Sequence, residues 1–185
     1  MMENKHILIV NGSPRMKGNT RSILKTLEKS LAEKYPSANI EFIDVCRHTL
    51  KGCVNCDSCM NNGGKCVLDD DTDLLMEKVL SAGTIIFGSP VYWMGVTAQL
   101  KLFIDKFYCK DPVMHDLKKK IAIISVGAAE LSDGQYGIIE AQFREMAEFL
   151  GWIFVCSSSF AAWHEGDWES VPENMEKVKG LAELF

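Results

Sequence analysis

At 185 residues, 47% of them hydrophobic, the chain is long enough for one domain with a sizeable core and needs no disulfide staples. Its 20 basic and 25 acidic residues leave a net charge of −5, which excludes a general attraction to nucleic acid or to an anionic membrane surface. No apolar run approaches the roughly 18 residues of a membrane span, and MMENKHILIV turns strand-like too early for a secretory signal, so the expected location is the cytoplasm.

The segment HILIVNGSPRMKGNT, from His6 to Thr20, reads as a buried strand that breaks at Asn11-Gly12 into a small polar loop and enters a helix at Asn19-Thr20. Asn19 or Thr20 is expected to cap that helix, with Ile23, Leu24, Leu27 and Leu31 on one face and Tyr35-Pro36 ending it. A second strand covers Ile40 to Val45. From Cys46 to Lys65 no period persists, which marks a loop or insertion, of a length that is usually functional or disordered. Asp69-Asp70-Asp71 should cap and charge a helix carrying Leu74, Leu75, Val79 and Leu80, ended by Gly83. Strand three, Thr84 to Phe87, opens into Gly88-Ser-Pro-Val-Tyr-Trp-Met-Gly95, and a helix starts near Thr97 with Leu100, Phe103, Ile104 and Phe107 inward. Asp111-Pro112 should break the chain ahead of strand four, Ile121 to Val126, which leads into a polar loop, Gly127 to Gly134. A helix bearing Ile138, Ile139, Phe143, Met146, Ala147 and Leu150 ends at Gly151, a fifth strand spans about Trp152 to Cys156 or Phe160, and a last helix begins near Pro172. Five strands linked through helices call for an α/β fold with a doubly wound parallel sheet, and the strand number favours the five-stranded, flavodoxin-like order 2-1-3-4-5. The whole chain, 1–185, is expected to be a single domain with a Cys-rich insertion, 46–69, after the second strand.

Ligands in such sheets sit outside the carboxyl ends of the strands, where the loops after strands one, three and four meet. The glycine spacing after strand one is not G-x-G-x-x-G, and Asn19-Thr20 stands where a triphosphate loop needs Lys followed by Ser or Thr. What remains is one anion held by Ser13, Arg15, Asn19, Thr20 and backbone N–H groups at a helix N-terminus, or else an ordinary capped turn. GSPRMKGNT after the first strand and GSPVYWMGVTAQLKLFIDKF after the third, in that order, resemble the NADPH-dependent FMN reductase family of flavodoxin-like proteins, over roughly residues 5 to 160. The resemblance implies that Ser13, Arg15, Gly18, Asn19 and Thr20 hold the FMN phosphate, and that Pro90, Val91, Tyr92, Trp93, Met94 and Gly95 line the isoalloxazine. Gly127 and Ala128 match the family's third flavin loop in position, although the following Glu130-Leu131-Ser132-Asp133 is less typical. A homodimer or homotetramer is implied as well.

Cys53, Cys56, Cys59 and Cys66, in C-x-x-C-x-x-C spacing with a fourth thiol further on, suit an iron–sulfur cluster better than the two separated knuckles usual for zinc. Placed after the second strand, the pattern resembles the iron–sulfur flavoproteins, in which a [4Fe–4S] cluster exchanges electrons with FMN; free or redox-sensing thiols and zinc stay open as alternatives. Cys46, Cys109 and Cys156 are scattered and read as core or loop residues, and Trp163 to Glu169 as a solvated segment with aromatic anchors. The expected function is an FMN-dependent oxidoreductase in which NAD(P)H reduces the flavin and a flavin, quinone or other small acceptor takes the electrons. No side chain is assigned as a catalytic acid or base, because the cofactor carries the chemistry. The alternatives are an electron carrier fed by ferredoxin through the cysteines, and a non-redox module that binds a small anion.

Overall fold

One parallel sheet, in the order β2-β1-β3-β4-β5, forms the spine of the computed structural model, which describes residues 5–185. The first four residues of the stretch read against a secretory signal lie outside the described residues. The strands are β1 (His6–Asn11), β2 (Asn39–Asp44), β3 (Thr84–Pro90), β4 (Lys120–Gly127) and β5 (Ile153–Ala161). The helices are α1 (Asn19–Lys34), α2 (Thr72–Ser81), α3 (Ala98–Asp105), the short α4 (Asp111–Met114), α5 (Gly134–Leu150) and α6 (Pro172–Leu181). Among them, no helix is long and apolar enough to cross a membrane.

Alternate side chains of the central strands feed two cores, as the two-residue period of a strand requires. Leu8, Val10, Ile85, Phe87, Ile121 and Ile123 meet α2, α3 and α5 on one face. Ile7, Ile9, Ile86, Ala122 and Ile124 meet α1 and α6 on the other. Since β1 pairs with both β2 and β3, the order reverses beside it, and the loops after β1, β3 and β4 open there. Two glycines let the layers close at that point. A Cβ on Gly88 would lie 2.5 Å from Leu24 Cδ1 of α1, and one on Gly12 would lie 2.7 Å from Leu100 Cβ of α3.

Several local expectations are corrected by tertiary structure. The N-cap of α1 is Gly18, with no side-chain cap, and Asn19 is already helical. Leu74 and Ile138 point outward, at 49% and 58% exposure, while Met76 and Tyr136 take the inner positions. Phe107 belongs to a 3-10 segment, Lys106–Lys110, and Asp111-Pro112 starts α4 rather than breaking the chain, with proline in the first helical turn. The insertion holds two short 3-10 turns, Val45–Arg47 and Ser58–Asn61. The fifth strand runs past Cys156 to Ala161, and Trp168 is fully buried in the core beside α6 rather than solvated.

Candidate functional site

A cleft of about 620 Å³ opens at the carboxyl ends of β1, β3, β4 and β5, a size within the usual range for a cofactor site. Its polar end is the loop after β1 and the start of α1, with Ser13, Arg15, Lys17, Gly18, Asn19 and Thr20 on the wall. With no side-chain cap at Gly18 and no acid in the first turn, the N–H groups of that turn are left for an external anion, and the helix dipole adds to their pull. Arg15 and Lys17 supply charge, while Ser13 and Thr20 are 2% exposed.

The loop is held from behind. Asn11 Oδ1 accepts from Ser13 N at 3.1 Å, and Asn11 Nδ2 donates to Asp44 Oδ1 at 2.8 Å. Arg21 closes on the same carboxylate with two bonds, 2.9 Å from Nε and 3.1 Å from Nη2. Burial alone would raise the Asp44 carboxyl, but the hydrogen bonds from Arg21 and Asn11 and the Arg21 charge leave it below the ordinary carboxylate value. From the α3 side, Thr97 Oγ1 donates to Gly12 O at 2.6 Å and caps α3 by accepting from Leu100 N.

The apolar end of the cleft is made by Pro90, Val91 and Tyr92 after β3, by Val126, Gly127 and Ala128 at the end of β4, and by Ala162, Trp163, His164 and Glu165 after β5. Tyr136 Oη donates to Ala129 O at 2.8 Å and so pins the third loop; a Cβ on Gly127 would sit 2.7 Å from that hydroxyl. The N–H of Val91 bonds Val126 O and that of Tyr92 bonds Gly95 O, so neither is free for a ligand. Trp93, Met94 and Gly95 do not line the cleft. They form the tip of a two-residue turn closed by the Tyr92–Gly95 bridge, with φ of 50° at Trp93 and 65° at Met94 and exposures of 97% and 56%. Positive φ at both central positions is the geometry that favours Asn-Gly, so this turn holds backbone strain.

Asn19 plays a different part from the one its sequence position suggests. Its Nδ2 donates to His164 O at 2.7 Å and its Oδ1 accepts from Gly166 N at 2.8 Å, which clamps the loop after β5 against α1. Its side chain is therefore engaged, and what it offers an anion is its backbone N–H. The wall 162–165 was missed as a site because its acids and aromatics look like solvated surface; its signal was position alone, directly after a strand at the ligand-bearing edge.

Cys53, Cys56, Cys59 and Cys66 of the insertion, together with Cys109, line a second, small pocket with Val54, Val67, Leu68 and Lys106. Its free volume is about 30 Å³. Cys53 and Cys56 are exposed, Cys59 is buried, and Asn55 and Asp57 between them adopt positive φ of 51° and 57°, which coils C-V-N-C-D-S-C tightly. Among the described residues, no three His, Cys, Asp or Glu side chains are gathered closely enough to hold a single metal ion. The segment 105–110 is the floor: Tyr108 Oη donates to Asp57 Oδ1 at 2.7 Å, and Lys106 Nζ lies 3.1 Å from Asp70 Oδ2 and 3.7 Å from Cys66 Sγ. The acids around the start of α2 do not make a side-chain cap at Asp71; they tie the insertion down. Asp71 Oδ2 accepts from Thr49 N, Asp70 Oδ2 from Lys51 N and Asp73 Oδ1 from Cys66 N. Burial opposes the ionised Asp70, yet hydrogen bonds from Thr72, Lys51 and Lys106 bring it down to about 2. Cys109, read from sequence as a scattered core thiol, is buried and faces this pocket, and burial raises it to about 11. Cys46 Sγ touches Met16 Sδ at 3.9 Å, joining the insertion to the loop after β1.

The family model of NADPH-dependent FMN reductases matches residues 6–166. An iron–sulfur flavoprotein of Methanocaldococcus jannaschii is 38% identical over 100 residues, 54% of this chain and 50% of that protein. Another, of Methanosarcina thermophila, is 28% identical over 185 residues, 95% of this chain and 94% of that protein. The chain spans about half the length, or less, of several relatives matched at the higher identities. In fold it is similar to an NAD(P)H:quinone oxidoreductase from Methanothermobacter marburgensis, with a TM-score of 0.74, 16% identity and coverage of 97% of this chain and 96% of that one.

Proposed function

Because the chain belongs to the NADPH-dependent FMN reductase family, we propose that it binds FMN in the cleft after β1, β3 and β4 and passes electrons from NAD(P)H to a small acceptor such as a quinone or a free flavin. The observation that supports this most is the uncapped, acid-free N-terminus of α1 with Arg15 and Lys17 beside it, at one end of a cleft whose other end is apolar. Ser13, Arg15, Gly18, Thr20 and the Asn19 N–H would hold the phosphate. Pro90, Val91, Tyr92 and Trp163 would face the ring, with Gly127 and Ala128 along its edge. When bound, FMN supplies hydride acceptance and electron transfer. The chain contributes orientation: Asn11, Asp44 and Arg21 fix the phosphate loop, Tyr136 fixes the third loop, and Asn19 fixes the wall after β5. Trp93 and Met94 would meet whatever approaches the open edge, whether acceptor or a second copy in a homodimer or homotetramer. The cytoplasm, where NAD(P)H is available, is the location that fits.

A second reading is supported by the convergence of Cys53, Cys56, Cys59 and Cys66 on one pocket. A single zinc ion needs all its sulfurs about 2.3 Å from one point, whereas a [4Fe–4S] cluster takes each thiolate on a different iron, as the compact C-x-x-C-x-x-C spacing with a fourth thiol suits. In that case ferredoxin rather than a nicotinamide is the electron donor. The test is an anaerobic purification with flavin, iron and sulfide measured per chain, followed by titration of the flavin with NADH, NADPH and reduced ferredoxin. Reduction by a nicotinamide is the expected result. Reduction by ferredoxin alone removes the dehydrogenase reading, and a colourless protein that does not take up FMN leaves only an anion-binding module.

A further inference from the structure

Lys106 stands out as a lysine only 2% exposed on the 3-10 segment after α3, where nothing in the sheet or in either core calls for a charge. A methionine of similar length would fill the space without the desolvation cost of an ammonium. Its partners explain the position. Nζ donates to Asp70 Oδ2 at 3.1 Å, with the Asp70 side chain fully buried, and lies 3.7 Å from Cys66 Sγ in the wall of the cysteine pocket. An ammonium carries three donors and no acceptor, so the sulfur is the second group it reaches. Asp70 is in turn held by Lys51 N at 2.9 Å and Thr72 N at 3.0 Å, and Cys66 N donates to Asp73 Oδ1 at 3.1 Å. The fourth cysteine is thus fixed at its backbone by one acid and at its sulfur by a lysine that a second acid orients.

We propose that Lys106 is a positioning residue of the cysteine pocket, whose buried ammonium, aimed by Asp70, donates a hydrogen bond to the Cys66 sulfur and sets the reduction potential of an iron–sulfur group bound there. The proposal rests on the cluster reading given above. Donors to a ligand sulfur and nearby positive charge stabilise the reduced, more negative form of such a group and raise its potential. Asp70, one position further from the sulfur, acts in the opposite sense through its charge while holding the ammonium in place.

Two substitutions that break the same ion pair from its two sides separate this role from a structural one. Lys106→Met removes the donor and the positive charge, and Asp70→Asn removes the negative charge. The double variant Lys106→Met/Asp70→Asn leaves no uncompensated charge and keeps a folded reference if either single variant is unstable. Each protein is reconstituted anaerobically with iron and sulfide, its content measured, and the midpoint potentials of cluster and flavin followed by absorbance in one redox titration. The expected result is a negative shift of the cluster midpoint in Lys106→Met, a positive shift in Asp70→Asn, and an intermediate value in the double variant, with the flavin midpoint unmoved in all three. Shifts of the same sign in both single variants, as mere loosening of the loop would give, overturn the proposal, as does a cluster midpoint that none of them moves. A wild-type protein that takes up FMN but no iron removes the cluster reading, and the role of Lys106 falls with it.

Discussion

Asp44→Ala tests whether the phosphate loop is organised from behind rather than by its own residues. Asp44 is 8% exposed and is the shared acceptor of Asn11 Nδ2 and of two Arg21 donors. Its removal leaves the Asn11 amide buried with an unmet donor, a loss of about 1–3 kcal/mol. The Arg21 guanidinium, 26% exposed, regains water and adds only about 1 kcal/mol. A total of about 2–4 kcal/mol lowers the melting temperature of the flavin-free protein by about 5–15 °C at this chain length. Asn11 Oδ1 still receives Ser13 N, but from a side chain no longer fixed, so FMN affinity should fall by about tenfold, or ~1.4 kcal/mol, although Asp44 does not line the cleft. Melting is followed by circular dichroism without FMN, and affinity by quenching of flavin fluorescence. The pH dependence gives an independent sign. A carboxyl held below its ordinary value contributes stability above its unfolded value, about 3.9, and that contribution is lost as pH falls through the lower folded value. Wild type should therefore show an acid limb that Asp44→Ala shows more weakly. A variant with lowered melting temperature but unchanged FMN affinity would refute the link between this network and the loop.

Three further outcomes are expected. Arg15→Ala should weaken FMN binding by about 1.5–3 kcal/mol, the size of a charge-assisted hydrogen bond, and unchanged affinity in the same fluorescence titration would take Arg15 out of the phosphate site. Met94→Gly relieves a positive φ of 65° and should raise the melting temperature through a gain of about 1 kcal/mol, while slowing turnover with a bulky acceptor; a lower melting temperature would mean that the turn is not strained. Brief labelling of reduced, metal-free protein with iodoacetamide at pH 7.5 should mark Cys56 first, since it is exposed and its hydrogen bonds with Ser58 lower its thiol, whereas burial holds Cys109 and Cys156 at about 11 and they should react only on unfolding. Peptide mass spectrometry that finds Cys109 among the early adducts would contradict that order.

What could be read from sequence was what is local. The inner strands of a parallel sheet are buried on both faces, so Ile7 to Val10, Thr84 to Phe87 and Ile121 to Val126 stand out as continuous runs, and their spacing by helices leaves few topologies. The loop after β1 is legible for the same reason, since strand, glycine and helix start lie within fifteen residues of one another. Two side chains are decided by distant partners. Asn19 looks like a cap or an anion ligand until its amide meets residues 145 and 147 positions away. Lys106 carries no sequence signal for burial, and it is the fold of the insertion over the 3-10 segment Lys106–Lys110 that buries it. Trp93 and Met94 were legible as an aromatic loop after a strand but not as a tip outside the cleft, because neither of the two positive-φ positions of the tight turn that lifts them out is a glycine.

The acids around the start of α2 bear on how the two centres are related. If Asp70, Asp71 and Asp73 had served only to cap that helix, the cysteine insertion would be a loose excursion between β2 and α2. Instead they accept from Lys51, Thr49 and Cys66, so the insertion is fastened at both its ends to the start of α2, and Lys106 and Tyr108 fasten it to the segment after α3. None of these bonds involves the sheet or the phosphate loop, which hang on Asp44 and Thr97. The Met16–Cys46 contact is one place where the two systems touch. Changes to the cysteine pocket should therefore alter where electrons come from while leaving FMN affinity intact, and changes around Asp44 should do the reverse. On the proposed reading, this separation would let one sheet serve either a nicotinamide-fed reductase or a cluster-fed carrier, with the choice made in the insertion.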